Sequence, residues 1–200
     1  MEKRVLYLYI NNSDYNDIIA FLKMYKKVTY YLVEEGVLIV HADLEFSLSD
    51  FSKLRELVLE ELLTDFVGLY LPIKFDLSIL DLKRGLSIIS NRIYDISSFI
   101  TEICLGKEIV LQKRLRSYYY NLVGIDNINT IISFVENSFN ASLTSKKLYL
   151  HRNTLNYRLE HFYLRTEMDI KSFHTGQAMY LLFRRWFVHV AYRIISFFFI

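Results

Sequence analysis

An α+β fold is predicted, with a ferredoxin-like body over residues 1–105 and an all-α helix-turn-helix module over 126–186. Three observations carry it. Up to Pro72 the hydropathy pattern runs strand, helix, strand, strand, helix, strand, the order of an antiparallel sheet with both helices on one face. From about Leu77 onward helical spacing takes over. At Ser142–Glu160, SLTSKKLYLHRNTLNYRLE, two short amphipathic segments meet at a tight break.

Val5 to Ile10 is a short apolar and aromatic run with strand preference, punctuated by Asn11 to Asp14. Tyr15, Ile18, Ile19, Leu22 and Tyr25 then recur at helix spacing. Val28–Val33 and Val37–His41 read as strands around Glu34-Glu35-Gly36, a connection of hairpin length with glycine available for positive φ. Ser49 or Asp50 can cap a helix whose apolar side is Phe51, Leu54, Leu57, Val58 and Leu62. Val67 to Leu71 is the last strand, closed by Pro72. Helical patterning covers Leu77–Leu105 and Lys107–Leu122, the latter within a helical connector at 106–125 whose hinges are Gly106 and Gly124. In the module, Ile128, Ile131, Ile132, Val135 and Phe139 form the stripe of a first helix. A second starts on Ser142. A third begins near Arg152 or Asn153 and turns Leu155, Leu159 and Phe162 inward.

Composition narrows the function classes. With 52% hydrophobic residues, one proline and one cysteine in 200 residues, the chain is neither disordered nor built on disulfides. Cys104 is expected as a small buried hydrophobe and the location as cytoplasmic. The start MEKRVLYLYINN lacks a signal peptide's length and cleavage site. The net charge of +2 is unevenly divided: residues 128–200 hold nine Lys and Arg against four Asp and Glu, while 1–127 hold 15 against 18. An acidic body with a basic module suits a polyanionic partner for the module. Six glycines and no GxSxG, Walker A or GxGxxG pattern argue against an enzyme, and the five histidines lack metal-ligand spacing. No catalytic residue, metal or cofactor is expected. At 187–200, Phe187 to Ile200 forms an apolar tail whose uncharged end, Ile194 to Ile200, is far short of the ~20 residues a membrane span needs, so it is expected to pack on protein.

The outward side of the third helix collects Asn153, Asn156, Tyr157 and Glu160, with Arg152 and Arg158 on its flanks and Thr154 near its start. Amides, arginines and a tyrosine in the first two turns are groups that reach base edges and phosphates of double-stranded DNA. Lys146 and Lys147 sit on the helix before it, which in such motifs crosses the phosphate backbone. An ordinary solvated face is the alternative for both lysines. Tyr118-Tyr119-Tyr120 reads as packing or interface surface, and Glu34-Glu35 as a solvated hairpin tip.

The decapeptide Leu150-His151-Arg152-Asn153-Thr154-Leu155-Asn156-Tyr157-Arg158-Leu159 resembles the C-terminal helix-turn-helix of the PucR/CdaR family of bacterial transcription regulators, over about Asp126 to Trp186. Asn140, Thr144 and Thr166-Glu167-Met168-Asp169 also match, and Ser145 departs from the family's usual alanine. The resemblance implies a sequence-specific regulator that works as a homodimer, answers a small-molecule signal and anchors phosphates through Ser142, Thr144, Lys146 and Lys147. For His151 it implies a role on the DNA side, with fixing the turn as the alternative. It further implies a body related to a degenerate diguanylate cyclase (GGDEF-like) palm, with Val67-Gly68-Leu69-Tyr70 as its last core strand. The hairpin Val33-Glu34-Glu35-Gly36-Val37 lacks that domain's Gly-Gly. No upstream sensor domain fits, so the chain reads as a short member or part of something longer. The competing readings are a protein-interaction adaptor that senses a ligand without binding DNA and a remnant nucleotide enzyme.

Overall fold

The structure, a computed structural model, describes residues 4–10, 15–24, 28–43, 45–72 and 75–184. The tail 187–200 lies outside them. The chain divides into two units, Met1–Gly106 and Lys107–Ile200.

In the first unit the elements are β1 (Arg4–Tyr9), α1 (Asn16–Leu22), β2 (Val28–Glu34), β3 (Val37–Ala42), α2 (Leu48–Leu62), β4 (Val67–Pro72), α3 (Ile79–Leu86), β5 (Ile93–Tyr94) and α4 (Ile96–Leu105). The sheet order is β2-β3-β1-β4-β5. β1 lies in the middle, antiparallel to β3 and β4, and Val5, Leu6, Tyr7 and Leu8 are all buried. An unbroken apolar run is what a strand covered on both faces requires. On one face Leu6, Leu8, Leu38 and Val40 join Ile18 and Leu22 of α1 and Phe51, Leu54 and Val58 of α2. Gly68 makes this contact close: a Cβ there would collide with Ile93 and come within 2.8 Å of the Phe51 ring. On the other face Val5, Tyr7, Ile39, Leu69 and Leu71 are buried, and α3 and α4 run against β4.

Two expectations are corrected. The continuous helix over Leu77–Leu105 is two helices, α3 and α4, separated by β5, which pairs parallel with β4 through Gly68↔Ile93 and Leu69↔Tyr94. Asp95 restarts the helix with a capping box, its carboxylate accepting from Ser98 N at 2.7 Å. The cap of α2 is Ser47, not Ser49 or Asp50; Asp50 is the acidic partner in the same reciprocal arrangement. The β2–β3 turn comprises Glu35 and Gly36, at φ 51 and 74, so glutamate shares the left-handed conformation with glycine.

The second unit is helical among the described residues: α5 (Ile109–Val123), α6 (Ile125–Glu136), α7 (Ala141–Lys147), α8 (Arg152–Thr166) and a last helix, α9, over 173–184. The stretch expected as a connector supplies α5, which buries Leu111, Leu115 and Tyr119 in this unit. The Tyr119 hydroxyl donates to Met168 Sδ at 3.1 Å, and burial pushes its ionisation well above the usual phenol range. Tyr118 meets Tyr119 edge-on, and Tyr120 meets Phe183. All three tyrosines therefore pack. Of the expected α6 stripe, Ile128, Ile131 and Ile132 are buried, and Phe139 lies past the helix end at φ 60.

Candidate nucleic-acid interface

Helix α7 starts on Asn140, whose Oδ1 accepts from Leu143 N at 3.0 Å. Ser142, expected as the cap, is one residue inside the helix and exposed. Thr144 is fully buried and its hydroxyl donates to Asn140 O at 2.8 Å. That side chain is closed to solvent, unlike Ser142, Lys146 and Lys147, with which it was expected to anchor phosphates. Lys146 and Lys147 are exposed in the last turn, where cations oppose the negative helix end. Lys147 Nζ also stands 3.9 Å from Glu136 Oε2, a carboxylate shared with Arg184.

The break between α7 and α8 is a Schellman closure. Leu150 N donates to Ser145 O and Tyr149 N to Lys146 O, with Tyr149 left-handed at φ 53. Glycine is the usual occupant of that conformation. Here a tyrosine holds it with its side chain 96% exposed, beside the start of the next helix. Sequence reasoning passed over Tyr149 because a non-glycine left-handed residue has no local signature.

His151 is the N-cap of α8, its Nδ1 accepting from Asn153 N at 3.3 Å. With Nδ1 engaged, the other ring nitrogen is left for an outside partner. Leu155, Leu159 and Phe162 are 0%, 5% and 0% exposed, which fixes the rotation of the helix. Asn153, Thr154, Asn156, Tyr157 and Glu160 accordingly face solvent. Arg152 is also exposed, at the positive end of the helix where unpaired backbone N–H groups point outward. Arg152, Asn156, Glu160 and Tyr163 line an open groove of about 970 Å³ together with Phe139 and Lys171.

Arg158 does not join this face. Its guanidinium donates to Thr130 Oγ1 at 2.8 Å and, weakly, to Asp126 O at 3.5 Å, both on α6. Next along that flank His161 Nδ1 lies 2.6 Å from Asn127 Nδ2, and Arg165 reaches Leu122 O. One edge of α8 is thus stitched to α5 and α6, while the amide-bearing side is left open. The structure therefore brings Arg152, Asn153, Thr154, Asn156 and Tyr157 onto exposed α8 surface, with His151 at its head, and separates Thr144 and Arg158 from it.

Residues 128–184 match the model of the PucR C-terminal helix-turn-helix domain. A 53-residue stretch, 26% of the chain, is 47% identical to an uncharacterized protein of Bacillus subtilis (strain 168), YxkF, and spans 18% of that protein's length. The crystal structure of a regulator of polyketide synthase expression from Bifidobacterium adolescentis aligns over 91% of this chain and 79% of that one, with a TM-score of 0.43 and 13% identity. The C-terminal module is a PucR-type helix-turn-helix domain. Among the described residues no helix is long and apolar enough to cross a membrane.

Proposed function

We propose that this chain, carrying a PucR-type helix-turn-helix domain, is a sequence-specific DNA-binding transcriptional regulator that inserts α8 into the major groove. The observation that carries the reading is the open side of α8. Asn153, Thr154, Asn156 and Tyr157 face solvent opposite the buried Leu155, Leu159 and Phe162. Asparagine can bond an adenine edge with both amide atoms, and hydroxyl and aromatic groups add contacts to neighbouring bases. Lys146, Lys147 and Arg152, with Ser142 and the first-turn amides of α8, flank that side and would hold the phosphates. His151 serves both as cap and as a donor to the backbone. Thr144 and Arg158 support the interface from beneath.

The body fits a ferredoxin-like unit extended by α3, β5 and α4, since the order β2-β3-β1-β4 with α1 and α2 on one face is that unit's arrangement. We read it as a degenerate relative of the cyclase palm that lacks catalysis, because Glu35 and Gly36 stand where that domain's hairpin needs Gly-Gly. Its role would be to answer a small-molecule signal in the cytoplasm.

The experiment is selection of duplexes from a random pool by gel shift, using the full chain. Enrichment of a shared sequence, bound more tightly than a scrambled duplex by about 10³-fold or more, is expected. Failure to enrich any sequence would favour the adaptor reading.

A further inference from the structure

We propose that the outer edge of β2 is a self-pairing surface that joins two copies of this chain through a continuous sheet. Of the two sheet edges, β5 is two residues long, and shortness is itself protection against edge pairing. β2 is seven residues long and reads VTYYLVE. It contains no proline or lysine, and Glu34 at its end is the one charged residue. A register irregularity falls between Val28 and Tyr30, and from Tyr30 to Glu34 the ladder with β3 is regular. Tyr30 and Val33 are 54% and 49% exposed on this edge. Among the described residues nothing pairs with its outer side.

The hydrogen-bonding parity identifies the occupant. The two-residue turn makes Glu34 and Val37 a bonded pair, so Leu32 and Tyr30 also bond toward β3. The backbone N–H and C=O groups of Tyr31 and Val33 are then directed outward. A second β2, related by a two-fold axis at Leu32, meets them with the same groups in reverse order. Tyr31 pairs with Val33 of the other copy and Val33 with its Tyr31, exchanging backbone bonds twice. Leu32 faces its own counterpart, and Tyr30 faces Glu34. Every cross-strand pair is aromatic with β-branched, aliphatic with aliphatic, or aromatic with a single carboxylate, and no like charges oppose. A closed two-fold contact of this kind is isologous, so it stops at two copies. The proposal does not depend on the DNA reading.

The test is sedimentation velocity on the full chain without DNA, over a concentration series. Wild type should show a concentration-dependent dimer, and Val33→Lys, a change at a half-exposed position, should weaken association by about tenfold or more. Register is tested in a Cys104→Ala background. Leu32→Cys places two thiols across the axis at a non-hydrogen-bonded pair and should form a disulfide-linked dimer on mild oxidation, whereas Tyr30→Cys should not. A monomer at every soluble concentration overturns the proposal, as does a dimer indifferent to Val33→Lys. Crosslinking of Leu32→Cys no faster than that of Tyr30→Cys overturns it as well.

Discussion

Replacing Arg158 by methionine separates two roles for a residue on α8. The substitution keeps the aliphatic stem and removes the guanidinium. Its loss deletes the 2.8 Å bond to Thr130 Oγ1 and a 3.5 Å contact to Asp126 O that is too long to count for much. Thr130 is 1% exposed, but its hydroxyl proton is already given to Asp126 O at 2.8 Å, so only an acceptor lone pair is vacated. A hydrogen bond from a charged donor contributes about 1.5–3 kcal/mol, and the half-buried position of Arg158 places the loss near the lower end. A fall in stability of about 1.5 kcal/mol is expected, which for a chain of this length lowers Tm by about 3–6 °C. Thr130→Val should be coupled to it by about 1 kcal/mol in a double-mutant cycle read by thermal unfolding. Unchanged stability together with a salt dependence of DNA binding shallower by about one unit would refute the reasoning and make Arg158 a phosphate contact.

Three further outcomes follow from the geometry. Gly68→Ala drives a Cβ into Ile93 and Phe51 and should destabilise the first unit by about 1–3 kcal/mol in urea unfolding, with DNA affinity of the folded protein unchanged. Tyr149→Gly relieves a left-handed tyrosine at the α7 C-terminus and should raise stability by about 1 kcal/mol; a loss of DNA affinity in the same variant would add its exposed ring to the interface. Tyr7 has its pKa raised to about 12, first by burial and then by the charge of Glu34, so its folded form holds the proton more tightly than the unfolded chain does. The resulting stability is fully present below pH 10 and is lost as pH rises from there through about 12, amounting to about 2–3 kcal/mol; Tyr7→Phe should flatten that limb of a stability-against-pH curve.

The sequence made the long periodic elements legible and the local exceptions illegible. Leu155, Leu159 and Phe162 announce the buried side of α8 because three apolar residues at helical spacing leave one rotation open, and the outward residues follow from it. The β2–β3 hairpin was equally plain from Glu34-Glu35-Gly36 between apolar runs. By contrast, Leu77–Leu105 carries helical spacing on both sides of β5, and a two-residue strand that owes its place to Gly68 in another strand leaves no periodic trace. The caps were misplaced by two or three residues, since Ser47 and Asn140 were chosen over nearby Ser49, Asp50 and Ser142 by where the chain enters the helix. The bond from Arg158 to Thr130, 28 residues earlier, and the burial of the Thr144 hydroxyl leave no trace in local spacing.

The central claim is that the open side of α8 reads bases, and Asn153→Ala tests it most directly. Fluorescence anisotropy on the selected duplex and a scrambled one, across several salt concentrations, should show specific binding weakened by about 1–3 kcal/mol while binding to the scrambled duplex and its salt slope stay unchanged. Lys147→Ala in the same assay should weaken both duplexes alike and reduce the slope by about one unit. An Asn153→Ala variant that keeps the wild-type ratio between the two duplexes would contradict direct readout by this helix.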